Sequence, residues 1–323
     1  MKILIIGAAG MVGQKLIARL LADGGLGGRA VSSMMLYDIV TPGTPDALWP
    51  VETSAGDLSD PGEAERLVAD RPDVIFHLAA IVSGEAETDF DKGYRINLQG
   101  THHLFEAVRA QGYMPRLVFA SSIAVFGAPF PEKIGDEFLS APLSSYGTQK
   151  ACCELLLSDY SRKGFFDGLS VRLPTVVVRP GRPNKAASGF FSNILREPLA
   201  GKEALLPVSR DVRHWMVSPR TAAGFLVHAA TLDTKKIGPR RALTMPGVSV
   251  TVGEMIEALD RVSGEKRSTL IRDEADELVN RMVTGWPRDF DAERATELGF
   301  VPDSSIDEII RIHIDEEMGG QLG

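Results

Sequence analysis

The first thirteen residues constrain this chain most. Met1-Lys2-Ile3-Leu4-Ile5-Ile6 runs directly into Gly7-Ala8-Ala9-Gly10-Met11-Val12-Gly13. A run of large apolar residues, mostly β-branched, predicts a short strand buried on both faces, the habit of a parallel sheet covered by helices. The glycine turn then opens a helix that turns Val12, Leu16, Ile17, Leu20 and Leu21 inward. Strand, glycine turn and helix in this order make a cradle for an anion. Gly7 permits the tight turn, Gly10 lets a pyrophosphate approach the backbone, Gly13 lets helix and strand pack closely, and the helix N-terminus directs its N–H groups at the ligand. The expected fold class is α/β: a doubly wound parallel sheet of the Rossmann type that binds a dinucleotide.

The next apolar run, Met34-Met35-Leu36-Tyr37-Asp38, predicts a second strand ending on an acid. A carboxylate there can accept both ribose hydroxyls of an adenosine and repels a 2′-phosphate, and neither Arg nor Lys follows closely, so Asp38 argues for NAD rather than NADP. Asp57-Leu58 can hydrogen-bond and cover an adenine. The small residues Ala79 and Ala80, after Val74-Ile75-Phe76-His77, leave room for a cofactor against the sheet edge. His77, inside an apolar run, reads as a core histidine. A long helical pattern spans Asp89 to Ala110, and Asn97 within it is a candidate polar support for the active-site backbone.

The chemistry is carried by Arg116-Leu117-Val118-Phe119-Ala120, a strand with Ser121-Ser122 at its carboxyl end, and by Tyr146-Gly147-Thr148-Gln149-Lys150, the start of a helix. Residues four apart share a helix face. Lys150 is therefore expected beside the Tyr146 hydroxyl, where an ammonium lowers the pKa of a phenol that otherwise titrates near ~10. A tyrosine tuned in this way takes a proton from an alcohol while a nearby serine hydroxyl holds the substrate oxygen.

These motifs together resemble the extended short-chain dehydrogenases/reductases, the group that includes sugar-nucleotide epimerases and dehydratases, over essentially the whole chain. The resemblance implies Ser122, Tyr146 and Lys150 as catalytic residues, with Tyr146 and Lys150 also contacting the cofactor, Lys150 at the nicotinamide ribose. It further implies Asp38, Asp57, Leu58, Ala79 and Asn97 as cofactor and support positions, along with Gly7, Gly10, Met11, Val12, Gly13, Pro174 and Val176. One departure is Phe126, where the family often has Tyr. Ile123-Ala124 occupy the places where a 4,6-dehydratase carries its Asp-Glu pair, which argues against that reaction. Ile81 through Glu87 and Arg172 through Ser192 resemble the family's oxidoreductases of four-carbon acid sugars. A sugar-nucleotide epimerase and a non-catalytic NAD sensor are the alternatives.

Leu169 to Val178 is expected to be one further sheet strand. The domain division that follows is 1–180 for the NAD-binding domain, with return segments near 214–246, and 181–323 for an interleaved, smaller mixed region that binds substrate. Candidate substrate contacts are Ser83, Ser122, Tyr146, Asn184, Lys185 and Arg213, with Arg182 as a further polar group in the loop RPGRPNKAAS. Thr251 and Glu254 read as a capping box. A net charge of −8 disfavours nucleic acid or an anionic membrane as partner. The adjacent Cys152 and Cys153 have no metal-site spacing, and no metal is expected. The remaining expectations are a small acid-sugar substrate, a cytoplasmic location and a homodimer.

Overall fold

The computed structural model describes residues 1–181 and 188–323, without the side chains of Leu278 and Thr284. Twelve strands order the described chain: β1 (Lys2–Ile6), β2 (Ser33–Asp38), β3 (Val51–Ala55), β4 (Val74–His77), β5 (Arg116–Ser122), β6 (Asp167–Leu173), β7 (Thr175–Val176), β8 (Ala204–Leu206), β9 (Arg213–Val217), β10 (Ala242–Thr244), β11 (Val248–Thr251) and β12 (Ile271–Asp273).

Seven of them form one sheet in the order β10-β6-β5-β4-β1-β2-β3, and every pairing in it is parallel. The order reverses between β1 and β4, so a crevice opens at the carboxyl ends of these strands, where open α/β sheets bind ligands. Both faces are covered, as the uninterrupted apolar runs require. The helices Met11–Ala22 and Pro219–Thr231 bury one face around Ile3, Ile5, Leu16 and Phe225. Thr101–Gln111 and Ser145–Arg162 bury the other around Leu4, Ile6, Phe105 and Leu157.

A separate apolar cluster joins the helices Gly189–Leu199, Val252–Ser263 and Ile306–Glu317 through Phe191, Ile194, Met255, Leu259 and Ile310. The capping box forms as expected: Thr251 Oγ1 accepts from the Glu254 N–H and Glu254 from the Thr251 N–H. β9 serves a three-stranded sheet with β7 and β11. β10 lies at the edge of the large sheet, paired with β6.

Two elements differ from the sequence expectation. The strand Leu169 to Val178 is divided at Pro174, which has no N–H for a ladder: β6 stays in the large sheet, while β7 leaves it to pair with β9. The long helix after Asp89 is also divided, into Phe90–Gly93, a π-helical segment Tyr94–Gly100 and Thr101–Gln111. The wider turn coincides with Asn97, whose carbonyl accepts from Thr101 Oγ1 at 2.7 Å.

Candidate active site

The crevice at the sheet reversal continues into a cleft of about 780 Å³. Its inner end is the glycine turn. Gly7 has φ +94°, and a Cβ there would lie 2.5 Å from the Ala79 nitrogen; at Gly13 one would lie 2.3 Å from the Gly7 oxygen. These glycines are required by the protein's own packing. Gly10 is different: a Cβ would meet only the Gly7 oxygen, at 3.4 Å, so the space beside its backbone is open to a ligand. Gly10 also caps the helix Met11–Ala22 without a side-chain acceptor. The first-turn N–H groups are thus available to a pyrophosphate, which the residues present fit.

Asp38 stands at the end of β2, where Oδ2 accepts from the Ala9 N–H at 2.9 Å and Oδ1 from the Ile39 N–H at 2.7 Å. A carboxylate has about four lone-pair sites, so acceptor capacity for two ribose hydroxyls remains. Asp57 accepts from Ser59 and from Arg95 at 2.7 Å. Burial works against its charge, but these bonds outweigh it and hold the carboxyl below its ordinary range. Leu58 is buried under the same end of the sheet, and Ala79 packs on Gly7. Met11, Val12, Pro174 and Val176 line the cleft directly.

Asn97 is fully buried behind the wall. Its Oδ1 accepts from the Ile81 N–H at 2.9 Å, and its Nδ2 donates to Ile81 O at 3.3 Å and to Gln149 Oε1 at 2.8 Å. It therefore grips both polar groups of one residue in the cleft-lining strip Ile81-Val82-Ser83. His77 is a core histidine, Nε2 2.8 Å from Thr101 Oγ1, and burial lowers it to about 3, with a further push from Lys150.

Ser122, Tyr146 and Lys150 all line the outer part of the cleft, β5 supplying the serine and the helix Ser145–Arg162 the other two. Burial pushes the Tyr146 phenol up to about 12, against the lowering pull of the Arg179 guanidinium and of a hydrogen bond with Ser122. Lys150 stands beside Tyr146 on the helix face, its Nζ 5.7 Å from the centroid of the Tyr146 ring. That Nζ also donates to Ala120 O at 2.8 Å and lies 4.5 Å from the centroid of the Phe119 ring. Sharing a helix face brings the side chains together, and the end of β5 anchors the ammonium. Burial lowers Lys150 to about 8. A second cation, Arg179, also lines the cleft and lowers the phenol; the composition of its Pro- and Gly-rich loop gave no sign of this.

Of the candidate substrate contacts, Ser83 lines the cleft, whereas Arg182, Asn184 and Lys185 lie outside the described residues. Arg213 does not line it: Nη1 donates to Ser249 O at 3.2 Å and Nη2 pairs with Glu254 at 3.4 Å. Alternation along β9 is the reason, since the next residue, His214, is the one that reaches the cleft. His214 is buried and lowered to about 4 by burial. Its Nδ1 lies 2.9 Å from Pro287 O, an acceptor only, so Nδ1 carries the proton and Nε2 accepts from the Thr175 hydroxyl at 2.6 Å. No cluster of potential metal ligands occurs among the described residues, and no helix among them is long and apolar enough to cross a membrane.

The model of the NAD dependent epimerase/dehydratase family matches residues 3–238. This chain belongs to that family, and NAD is its cofactor. Over 98% of its length it is 46% identical to D-erythronate dehydrogenase of Cupriavidus necator, covering 98% of that protein. It is 42% identical to D-erythronate dehydrogenase of Haemophilus influenzae, over 98% of this chain and 100% of that one. Among solved structures, a protein described as the nucleoside-diphosphate-sugar epimerase from Agrobacterium tumefaciens is 63% identical, with a TM-score of 0.97 over 100% of this chain and 96% of that one.

Proposed function

We propose that this chain is an NAD-dependent dehydrogenase that oxidises D-erythronate, or a close 2-hydroxy sugar acid, at C2 to the 2-keto acid. The observation that carries the reading is that Ser122, Tyr146, Lys150 and Arg179 line one cleft with the glycine turn, with the Tyr146 phenol hydrogen-bonded to Ser122. The names of the relatives similar over their full length support the substrate. When bound, NAD supplies the acceptor for the hydride that leaves C2. Ser122 holds the substrate hydroxyl, and Tyr146, in the phenolate form that the Lys150 and Arg179 charges stabilise, takes its proton as the carbonyl forms. Lys150, fixed on Ala120 O in the cleft wall, is the residue to hold the nicotinamide ribose. Asp38 receives the adenosine ribose. With this reading go a cytoplasmic location and a homodimer, the latter checked by light scattering on the purified protein.

The test is a screen of purified enzyme with NAD against D-erythronate, other aldonates and UDP-hexoses, following NADH. Erythronate-dependent NADH formation is the expected result. Interconversion of UDP-hexoses without net NADH, together with silence toward every aldonate, would make the chain an epimerase, as the similar Agrobacterium tumefaciens protein is described.

A further inference from the structure

We infer that Arg179 is the receptor for the substrate's carboxylate, and so the residue that makes this cleft selective for an acid over a neutral sugar alcohol. The inference rests on the dehydrogenase reading above and adds to it the group that recognises the substrate.

The charge lining the cleft is the first observation. The chain carries a net −8, yet the described lining holds Lys150, Arg179, Arg196 and Arg281 against Glu87 alone. Three of these cations are engaged or peripheral. Lys150 rests on a neutral oxygen, Ala120 O, but in the reading above it is taken by the nicotinamide ribose. Arg196 donates to Glu197 Oε1 at 2.7 Å, to Asn193 and to Arg179 O. Arg281 is exposed on the helix Glu277–Thr284.

Arg179 is the exception. It follows the buried run Val176-Val177-Val178. Its Nε donates to Val176 O at 3.1 Å and its Nη2 to Ser188 Oγ at 2.8 Å, both neutral acceptors. No carboxylate pairs with it among the described residues. Arg179 is half-buried, and a partly desolvated cation hydrogen-bonded only to neutral groups carries a desolvation cost that an anionic ligand relieves. The planar guanidinium is also the side chain best suited to grip a carboxylate through parallel N–H bonds.

Placement supplies the second argument. Arg179 and Tyr146 line the same cleft, and the guanidinium lowers the phenol against its burial. In a 2-hydroxy acid the carboxylate is attached to the carbon whose hydroxyl must meet Tyr146, so the acid group has to come to rest beside that phenol. A cation in the same cleft as the phenol suits an α-carboxylate.

The test compares D-erythronate with its amide, a neutral analogue that keeps the C2 alcohol, in the NAD-loaded wild type, in Arg179→Lys and in Arg179→Gln. NAD affinity is followed separately by quenching of protein fluorescence. The wild type is expected to prefer the acid by tenfold or more in kcat/KM. In R179Q that preference should fall to within about threefold through a higher KM for the acid, with NAD affinity unchanged, while R179K keeps an intermediate preference. If R179Q fails to fold, R179K decides alone, and a preference equal to the wild type's overturns the assignment. Retention of the tenfold preference by a folded R179Q would also overturn it, with erythronate turnover still standing. A wild type that turns over no aldonate would instead remove the dehydrogenase reading, and the assignment with it.

Discussion

The two halves of the cleft differ in how their charged groups are satisfied. At the cofactor end, Asp38 and Asp57 are already held by N–H groups, a hydroxyl or a guanidinium, and Gly7 and Gly13 are pinned by contacts of a few ångströms. This half is complete before any ligand arrives. At the substrate end, Arg179 rests on neutral oxygens, and the Tyr146 phenol is raised by burial while two neighbours pull it down. A preorganised half gives affinity for a cofactor of fixed shape. The half with unsatisfied charge leaves its interactions to the substrate and the reacting atoms.

The largest effect that would sharpen this contrast is at Tyr146. Tyr146→Phe should lower kcat by roughly 10²-fold or more with NAD affinity intact, because it removes the proton acceptor and nothing from the cofactor half. Wild-type turnover in this variant would show that another group is the base. Gly13→Val is the opposite case. The new side chain meets the Gly7 oxygen, so the protein should lose about 1–3 kcal/mol of stability in urea titrations and bind NAD poorly. A variant as stable as the wild type would mean that the turn is looser than its geometry indicates.

Asp38→Asn should reduce the preference for NAD over NADP by about tenfold, or ~1.4 kcal/mol, read as the ratio of kcat/KM values. An unchanged ratio would mean that Asp38 does not face the adenosine ribose.

Acid should weaken both halves alike. His77 is lowered to about 3 and His214 to about 4, from an ordinary 6.5. Below pH 6.5 the unfolded chain therefore binds protons that the folded chain refuses. Stability is full above 6.5 and falls as pH drops toward 4, by at most about 1.4 kcal/mol per pH unit for each histidine. Melting temperatures from pH 7.5 to 5 check this, and the slope should shrink in His214→Gln. The smallest effect is expected from Arg213→Ala, whose half-exposed pair with Glu254 lies outside the cleft: KM for the acid should stay within about twofold.

Local rules made a large part of this protein legible from its residues. Backbone geometry and burial on both faces dictate the strand Ile3–Ile6, the glycine turn and the acid closing β2, because these demands act within a few residues along the chain. The same holds for the Thr251 capping box and for Ser122, Tyr146 and Lys150 meeting in one cleft, since β5 and the helix after it are fixed by their own periodicity. Only the tertiary structure decided where long side chains spend their charge. Lys150 turns to Ala120 O, Arg213 to Ser249 and Glu254, and Arg179 into the cleft. One sequence signal did mark Arg179: a charge placed directly after the apolar run Val176-Val177-Val178, at the end of the chain's passage along the sheet. What no spacing could supply was its lack of a carboxylate partner among the described residues, because the partner of a flexible cation is set by packing between elements far apart in the chain, and the energy of a half-buried charge depends on every group around it.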